Sequence, residues 1–254
     1  MQLSTIIMLI TSLGFAPPLL WLWFWLKEDA HPEPRKEIIV VFLMGMSTVL
    51  VAFIVQAMFS WILVSVQNGF INFFDYISTK PLYLPFSQNM QIVLLAGFAL
   101  IEELAKFGAA FITALRSKYY DEPIDAMIYA MTAALGFAAL ENALFISQIT
   151  TNISEVLFVG AFRFAHAVLI HAATSAIIGA SFAFSFCHPR RRAAEFILAL
   201  LFATGIHTFY NILILQNATL AAPSFRASLI VVGGAIIALI LFERARRLRT
   251  ECGL

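Results

Sequence analysis

Charged residues are scarce in this chain. Only 12% of its 254 residues are Asp, Glu, Lys or Arg, whereas 61% are hydrophobic. Soluble domains carry about a quarter charged residues, so this composition excludes an ordinary globular protein. A net charge of +1 gives no basis for nucleic-acid binding. The two cysteines, Cys187 and Cys252, indicate neither a disulfide framework nor a cysteine metal cluster. The composition is that of a polytopic membrane protein.

Long apolar runs recur along the whole chain, and a membrane-spanning helix needs about 20 apolar residues. Hydropathy therefore predicts an all-α membrane helix bundle that forms a single integral membrane domain over residues 1–254. The predicted spans are seven, at residues 3–26, 38–66, 91–115, 124–149, 156–187, 194–216 and 226–242. The first span lacks a basic leading segment and is too long for a typical signal peptide, so we expect a retained helix.

The distribution of lysine and arginine predicts the orientation in the membrane. The segments after spans one, three, five and seven carry twelve basic residues, whereas the alternate loops carry only Lys80 and Arg226. Because cytoplasmic loops are enriched in basic residues, we expect the N-terminus outside and the C-terminus in the cytoplasm. The two remaining basic residues, Lys106 and Arg163, fall inside predicted spans and call for another explanation.

The longest predicted loop, residues 67–90, lies on the outer side and is rich in aromatic residues. Pro81 and Pro85 interrupt it, so no long helix is expected there. The sequence leaves two interpretations open: a partial cover or substrate gate in the membrane interface, or a poorly ordered connection.

Two adjacent glutamates interrupt the third predicted span, in the sequence FALIEELAKFGAAF (residues 98–111). A charge at the bilayer centre costs about 2.5–3.5 kcal/mol on insertion scales, so such residues are expected where they function. Lys106 lies four residues after Glu102 and three after Glu103, so it can neutralise one carboxylate across a helical turn. The other carboxylate can then act as a base beside an electrostatic partner. An ion pair that only holds helices together is the structural alternative.

Further polar residues lie inside spans four, five and six. They are Glu141 and Asn142, then Arg163, His166 and His171, and finally His207 and Asn211. His207 and Asn211 share a helical face, so the amide can hold the imidazole or donate to an oxyanion. His166 and His171 are about 140° apart around a regular helix, which disfavours one metal site for both. Whether Glu141 orients a catalytic group or neutralises Arg163 stays open, as does the role of His166.

Four of the polar residues are predicted to lie at a similar depth. Counting about 1.5 Å per residue from the outer span ends puts these residues roughly 13–22 Å below the outer boundary. They are Glu102, Glu141, His171 and His207. Independent structural ion pairs have no reason to share a level, so the pattern predicts one polar cavity within the bilayer.

Several common catalytic motifs are absent: the sequence has no H-E-x-x-H, no G-x-S-x-G and no G-x-G-D. Carboxylate, imidazole and amide groups remain. This set suits activation of water by a glutamate, with histidine and asparagine stabilising the tetrahedral oxyanion. Glutamate and histidine are also zinc ligands, so a metal-dependent hydrolysis stays open as well.

Four motifs on successive helices resemble those of the PrsW family of intramembrane proteases. They are Glu102-Glu103-x-x-Lys106, Glu141-Asn142, Arg163 followed by His171-Ala172, and His207-x-x-x-Asn211. The segment DEPIDAMIYAMTAALGFAALEN is especially similar to that family. The resemblance covers about residues 98–215, which predicts a catalytic core at approximately 91–216. PrsW proteins belong with the CAAX prenyl endopeptidases in a wider superfamily of glutamate-dependent membrane proteins.

The resemblance implies a protease of the bacterial inner membrane. Its implied reaction is site-1 cleavage of a single-pass anti-sigma factor near the extracytoplasmic face, which releases a sigma factor for an envelope-stress response. The implied catalytic residues are Glu102, Glu103, His171 and His207, supported by Lys106, Glu141, Asn142, Arg163 and Asn211. No cofactor is certain from the resemblance. A divalent metal such as zinc, if present, would be held by Glu103, His171 and His207.

Two other functions stay open on the sequence alone. A non-catalytic relative would resemble the multi-pass scaffold subunit of γ-secretase, which binds helices without cutting them; the doubled glutamate argues against that interpretation. A proton-coupled transporter would use Glu102, Lys106 and His171 as a relay. Against transport, the sequence has neither an inverted repeat nor paired broken helices.

Overall fold

The structure is a computed structural model that describes residues 3–29, 31–69, 71–73, 76, 87–148, 153–216 and 225–251. These residues form eight long or medium α-helices and no strand. The helices are α1 (Leu3–Lys27), α2 (Arg35–Asn68), α3 (Gln88–Thr113), α4 (Asp125–Ser147), α5 (Ile153–Ala165), α6 (Ala167–Phe184), α7 (Arg192–Gln216) and α8 (Phe225–Glu251). A short 3-10 turn, Pro189–Arg191, precedes α7.

The helices correspond to the seven predicted spans, with one break. Span five is divided at His166 into α5 and α6, whereas each other span is a single helix. Within the described parts of the chain, five stretches are long and apolar enough to cross a membrane by length and composition: Arg35–Asn68, Asp125–Ser147, Val156–Phe184, Pro189–Gln216 and Phe225–Leu248. The predicted all-α multi-pass architecture is therefore confirmed. The orientation of the termini stays a prediction, and most of the second half of the 67–90 loop lies outside the described residues.

Helices α4 and α6 form the centre of the bundle. Nearly every residue of both helices is buried, as expected for a helix that is apolar on all faces. Helices α1 and α2 pack on α4, whereas α7 and α8 pack on α6. Helix α3 lies against α2, α4 and α7, so the doubled glutamate reaches the interior of the bundle.

Small residues let α2 and α4 approach closely. A Cβ atom at Gly136 of α4 would lie 2.0 Å from the carbonyl oxygen of Phe42, and one at Gly45 of α2 would lie 2.1 Å from that of Ala133. No side chain fits at either position. Glycine at a helix crossing permits such backbone contact in membranes, and it fixes α2 against the centre of the bundle.

Cys187 follows α6 and is disulfide-bonded. Cys252, the only other cysteine in the sequence, lies outside the described residues.

Candidate active site

Glu103 lies at the buried end of the polar cluster. One of its carboxylate oxygens, Oε1, accepts from Lys106 Nζ at 2.6 Å, and the hydroxyl of Thr174 lies 2.9 Å from the same oxygen. His207 Nδ1 is 2.8 Å from this oxygen as well. The side chains of Glu103 and Lys106 are completely buried. Lys106 therefore neutralises Glu103, the partner three residues away, rather than Glu102.

His207 bridges the two adjacent glutamates. An ionised carboxylate only accepts hydrogen bonds, so the Nδ1–H group of His207 donates to Glu103. In the neutral imidazole the other nitrogen, Nε2, then carries the lone pair, and this nitrogen lies 3.6 Å from Glu102 Oε2. A carboxylate behind a histidine fixes the tautomer and the orientation of the ring. Glu103 thus turns the lone pair of His207 toward Glu102.

Glu102 has a more open environment than its neighbour. Its side chain is 13% exposed, and its Oε1 atom accepts from the amide of Gln56 in α2 at 2.9 Å. Lys106 makes no hydrogen bond or salt bridge to Glu102. Glu102 is therefore the carboxylate of the pair that faces the accessible side of the cluster.

His171 lies between a lysine and a glutamate. Lys106 Nζ is 3.1 Å from its Nδ1 atom, and Glu141 Oε2 is 3.0 Å from its Nε2 atom. The ring meets that of His207 edge to face, with 5.1 Å between the ring centroids. The two histidines, predicted from different spans, therefore lie side by side.

Arg163 holds the outer edge of the cluster. Its guanidinium donates to Glu141 Oε2 at 2.9 Å and, through Nε, to Asn142 Oδ1 at 2.5 Å. The sequence left open whether Glu141 neutralises Arg163 or orients a catalytic group. In the structure the same oxygen of Glu141 contacts both Arg163 and His171, so it is placed to do both.

One group of side chains in the cluster has the composition of a catalytic zinc site. Glu102, His171 and His207 each offer one donor atom, and these atoms all lie within 4.8 Å of one another. Two histidines and a glutamate are the protein ligands of several catalytic zinc sites. The cluster also has three carboxyl groups, Glu102, Glu103 and Glu141, beside two basic side chains, Lys106 and Arg163. The donor set and the excess of carboxyl groups over basic side chains both fit a divalent metal.

The carboxylate of this group differs from the one expected on the sequence. The predicted metal set contained Glu103, whose Oε1 atom has three partners, including Lys106, and whose Oε2 atom is buried without a hydrogen-bond partner among the described residues. The group whose donor atoms lie together contains Glu102 beside the two histidines, and the set with Glu103 stays a prediction. His171 has a partner on each nitrogen, so it can bind a metal only when Lys106 or Glu141 gives up its contact.

A second acidic group, Glu33, Asp121 and Asp125, lies where α2 and α4 begin. Asp125 Oδ2 accepts from two backbone N–H groups of its own loop, those of Asp121 and Glu122. This carboxylate therefore holds the loop before α4. The group has no histidine and is not part of the membrane-embedded cluster.

Two of the residues singled out in the sequence lie apart from these contacts. His166 sits at the junction of α5 and α6, where its ring contacts the carbonyl of Phe162 and the hydroxyl of Ser228 in α8. That is a link between helices. Asn211 is half-buried one turn after His207, and its side chain makes no hydrogen bond with the described residues.

Gln56 and Thr174 belong to the cluster but were missed in the sequence. Gln56 is the only polar residue between Thr48 and Ser60, which is a signal that a search for amides as well as charges would have found. Thr174 follows His171 by three residues and therefore shares its face of α6. A lone threonine in a membrane helix is too common to mark a site.

Comparison with known proteins identifies the family. Residues 33–241 match the family described as "PrsW family intramembrane metalloprotease". A relative from Geobacillus kaustophilus, named "Protease PrsW", is 25% identical over 211 residues, which cover 82% of this chain and 80% of the relative. A "Protease PrsW" from Oceanobacillus iheyensis is 27% identical over 205 residues, which cover 81% of this chain and 82% of the relative.

No solved structure is significantly similar to the chain. The family match is nevertheless broad, because it covers much more than half of the sequence and includes all the motifs described above. It supports a peptidase over the scaffold and the transporter that the sequence left open. The chain is a multi-pass membrane peptidase and belongs to the PrsW family of intramembrane proteases.

Proposed function

We propose that this protein cuts a single-pass membrane protein such as an anti-sigma factor at its first cleavage site, with Glu102 and His207 at the reacting centre. The observation that carries the proposal is the convergence of Glu102, His171 and His207 from three different helices. A carboxylate and imidazoles within reach of one another can activate water for attack on a peptide carbonyl.

Glu102 is the residue best placed to act on water. It is not paired with Lys106, it is partly accessible, and it lies opposite the Nε2 lone pair of His207. A carboxylate in that position can take the proton of an attacking water and pass it to the leaving amine. Glu103 then acts through His207, which it orients, and Lys106 keeps the buried carboxylate charged.

A divalent metal fits the same residues. Glu102, His171 and His207 would hold it, and when bound it would supply a Lewis acid that makes water nucleophilic near neutral pH. The contact from Glu103 to His207 would orient this ligand, as carboxylates behind metal-bound histidines do. Asn211, which has no partner among the described residues, is available to donate to the oxyanion of the scissile peptide.

The proposal is tested by co-expression of the protein with epitope-tagged single-pass anti-sigma factors in bacterial cells. We expect a truncated fragment with the wild-type chain and none with Glu102→Gln or His171→Ala. His166→Ala is the matched control, because this membrane histidine lies outside the cluster and should leave cleavage intact. Membrane levels of each variant are compared by immunoblot.

Two further measurements separate the alternatives. Zinc content and sensitivity to a chelator, measured on the purified protein, distinguish a metal-dependent from a glutamate-only hydrolysis. Normal cleavage by Glu102→Gln and His171→Ala would contradict the proposed site. Uptake driven by a pH gradient and lost in the same variants would indicate a transporter instead.

A further inference from the structure

We propose that Gln56 of α2 is a positioning residue that fixes the carboxylate of Glu102 for the reaction. This inference rests on the proposed function, since it assigns Glu102 to the reacting centre. Gln56 lies near the middle of α2, and its side chain is buried. Its neighbours Ile54, Val55 and Met58 are exposed apolar residues of the outer helix face.

The amide of Gln56 binds the carboxylate of Glu102. Its Nε2 atom donates to Oε1 at 2.9 Å and lies 3.5 Å from the carbonyl oxygen of Phe98, one turn earlier in α3. With Oε1 held, Oε2 is the oxygen that faces His207 Nε2 at 3.6 Å. Rotation of the carboxylate plane away from this position would break the hydrogen bond to Gln56, so the amide fixes the orientation in which Glu102 presents its second oxygen to the site.

A polar link that only joins α2 to α3 would not require this amide. The two helices already pack tightly, because a Cβ atom at Gly97 of α3 would lie 2.1 Å from the ring of Phe59 in α2. Hydrogen bonds between membrane helices contribute only about 0.6 kcal/mol on average. The amide is aimed at a carboxylate of the reacting centre, where orientation has a larger effect than helix adhesion.

Ser60 provides a matched control on the same helix. It lies one turn after Gln56 and is similarly buried, but its hydroxyl donates only within α2, to the carbonyl oxygens of Gln56 and Ala57. Ser60→Ala therefore removes a buried polar group from this face without touching Glu102. Gln56→Met keeps the length of the side chain and removes its donor.

The test measures three quantities on wild-type, Gln56→Met and Ser60→Ala proteins in detergent. They are the zinc affinity by competition with a chromogenic chelator, kcat and KM on a purified single-pass substrate, and the melting temperature. We expect Gln56→Met to lower the zinc affinity and kcat by about 10–100-fold, as loss of a group behind a metal ligand does. KM and the melting temperature should stay close to those of Ser60→Ala.

The outcomes separate this inference from the proposed function. Equal zinc affinity and kcat for Gln56→Met and Ser60→Ala overturn the positioning role, whether or not the melting temperature falls. A wild-type chain that cleaves without binding zinc removes the metal from the proposed function; a fall in kcat confined to Gln56→Met then still supports positioning. A wild-type chain that neither binds zinc nor cleaves overturns both.

Discussion

Two glutamates that are neighbours in the sequence lie in different surroundings. Successive residues of a helix point about 100° apart, so Glu103 turns into the bundle while Glu102 turns toward its accessible side. Glu103 is fully buried and has Lys106, Thr174 and His207 on one oxygen. Glu102 is 13% exposed and has Gln56 on one oxygen and His207 near the other.

The contrast explains why the carboxylate is doubled. A glutamate that is completely buried and accepts from a lysine is less accessible to water or metal than its partly exposed neighbour. With two, Glu103 supplies a fixed negative charge that orients His207, and Glu102 keeps a free oxygen in the same site. Glu102, Arg163 and Glu141 each keep 13–24% of their side chains exposed, whereas Glu103 and Lys106 are completely buried.

The largest expected difference between the two glutamates is in catalysis. Glu102→Gln should lower kcat by about 10²–10⁴-fold, as loss of a general base does, with little change in melting temperature because no buried charge loses its partner. Glu103→Gln should lower kcat less, by about 10–100-fold, since it acts through His207, but it should also lower the melting temperature. Cleavage of a purified single-pass substrate and thermal melts of both variants provide the measurement.

The reverse pattern would contradict this division. A stable but inactive Glu103→Gln beside an active Glu102→Gln would make Glu103 the reacting carboxylate and return the metal set to the one expected on the sequence.

A second prediction concerns the cations on the two sides. Lys106→Met leaves the carboxylate of Glu103 charged and buried, which should cost about 3–5 kcal/mol of stability. Arg163→Met should cost less, because Glu141 is 24% exposed and keeps its contact with His171. Thermal melts in detergent and the amounts that accumulate in membranes measure the difference. Equal losses of stability for the two variants would contradict the expectation that the buried Lys106–Glu103 pair is the more sensitive one.

A third prediction concerns the hydroxyl beside Glu103. Thr174→Val keeps the shape of the side chain and removes a donor that lies 2.9 Å from the carboxylate. The expected loss of stability is about 1 kcal/mol, which is measured as a small fall in melting temperature. We also expect a modest fall in kcat. Ser175→Ala is the control, since this buried neighbour makes no hydrogen bond with Glu103. Identical melts for the two variants would assign the Thr174 hydroxyl to its own helix, whose Ile170 carbonyl it also reaches.

The sequence predicted the helices and the cluster as a whole for clear physical reasons. Apolar runs of membrane length can only be helices, because every backbone group must be satisfied internally. Charges inside those runs are expensive, so Glu102, Lys106 and Arg163 marked the site before any contact was known. The spacing along the helix also predicted that the ion-pair partner of Lys106 on its own helix is either Glu102 or Glu103.

The details within the cluster depend on how the helices are rotated against one another. The spacing allowed Lys106 to reach either glutamate, and only the packing of α3 against α6 and α7 decides for Glu103. Most faces of helix α4 are apolar, and Gly136 permits a close helix approach without showing that the approaching helix is α2. The helix is broken at His166, so the regular 3.6-residue period does not predict which residues of span five share a face. The contact between Gln56 and Glu102 could not be predicted either, because it requires α2 and α3 to be neighbours.

A third glutamate, outside the spans, gives the smallest expected effect. Glu33 is half-buried between α1 and α2 and accepts a hydrogen bond from the hydroxyl of Tyr129. Burial raises the pKa of its carboxyl above the usual value of 4.5, and the nearby Asp29 and Asp121 charges act in the same direction. The folded protein therefore binds this proton more tightly than the unfolded chain, and Glu33 lowers stability as the pH rises above 4.5. Glu33→Gln keeps an acceptor for Tyr129 and cannot ionise. The melting temperature of this variant should equal that of the wild type near pH 4 and exceed it by roughly a degree or two near pH 7. If the melting temperatures of the two proteins instead differ by the same amount at every pH, ionisation of Glu33 does not destabilise the fold.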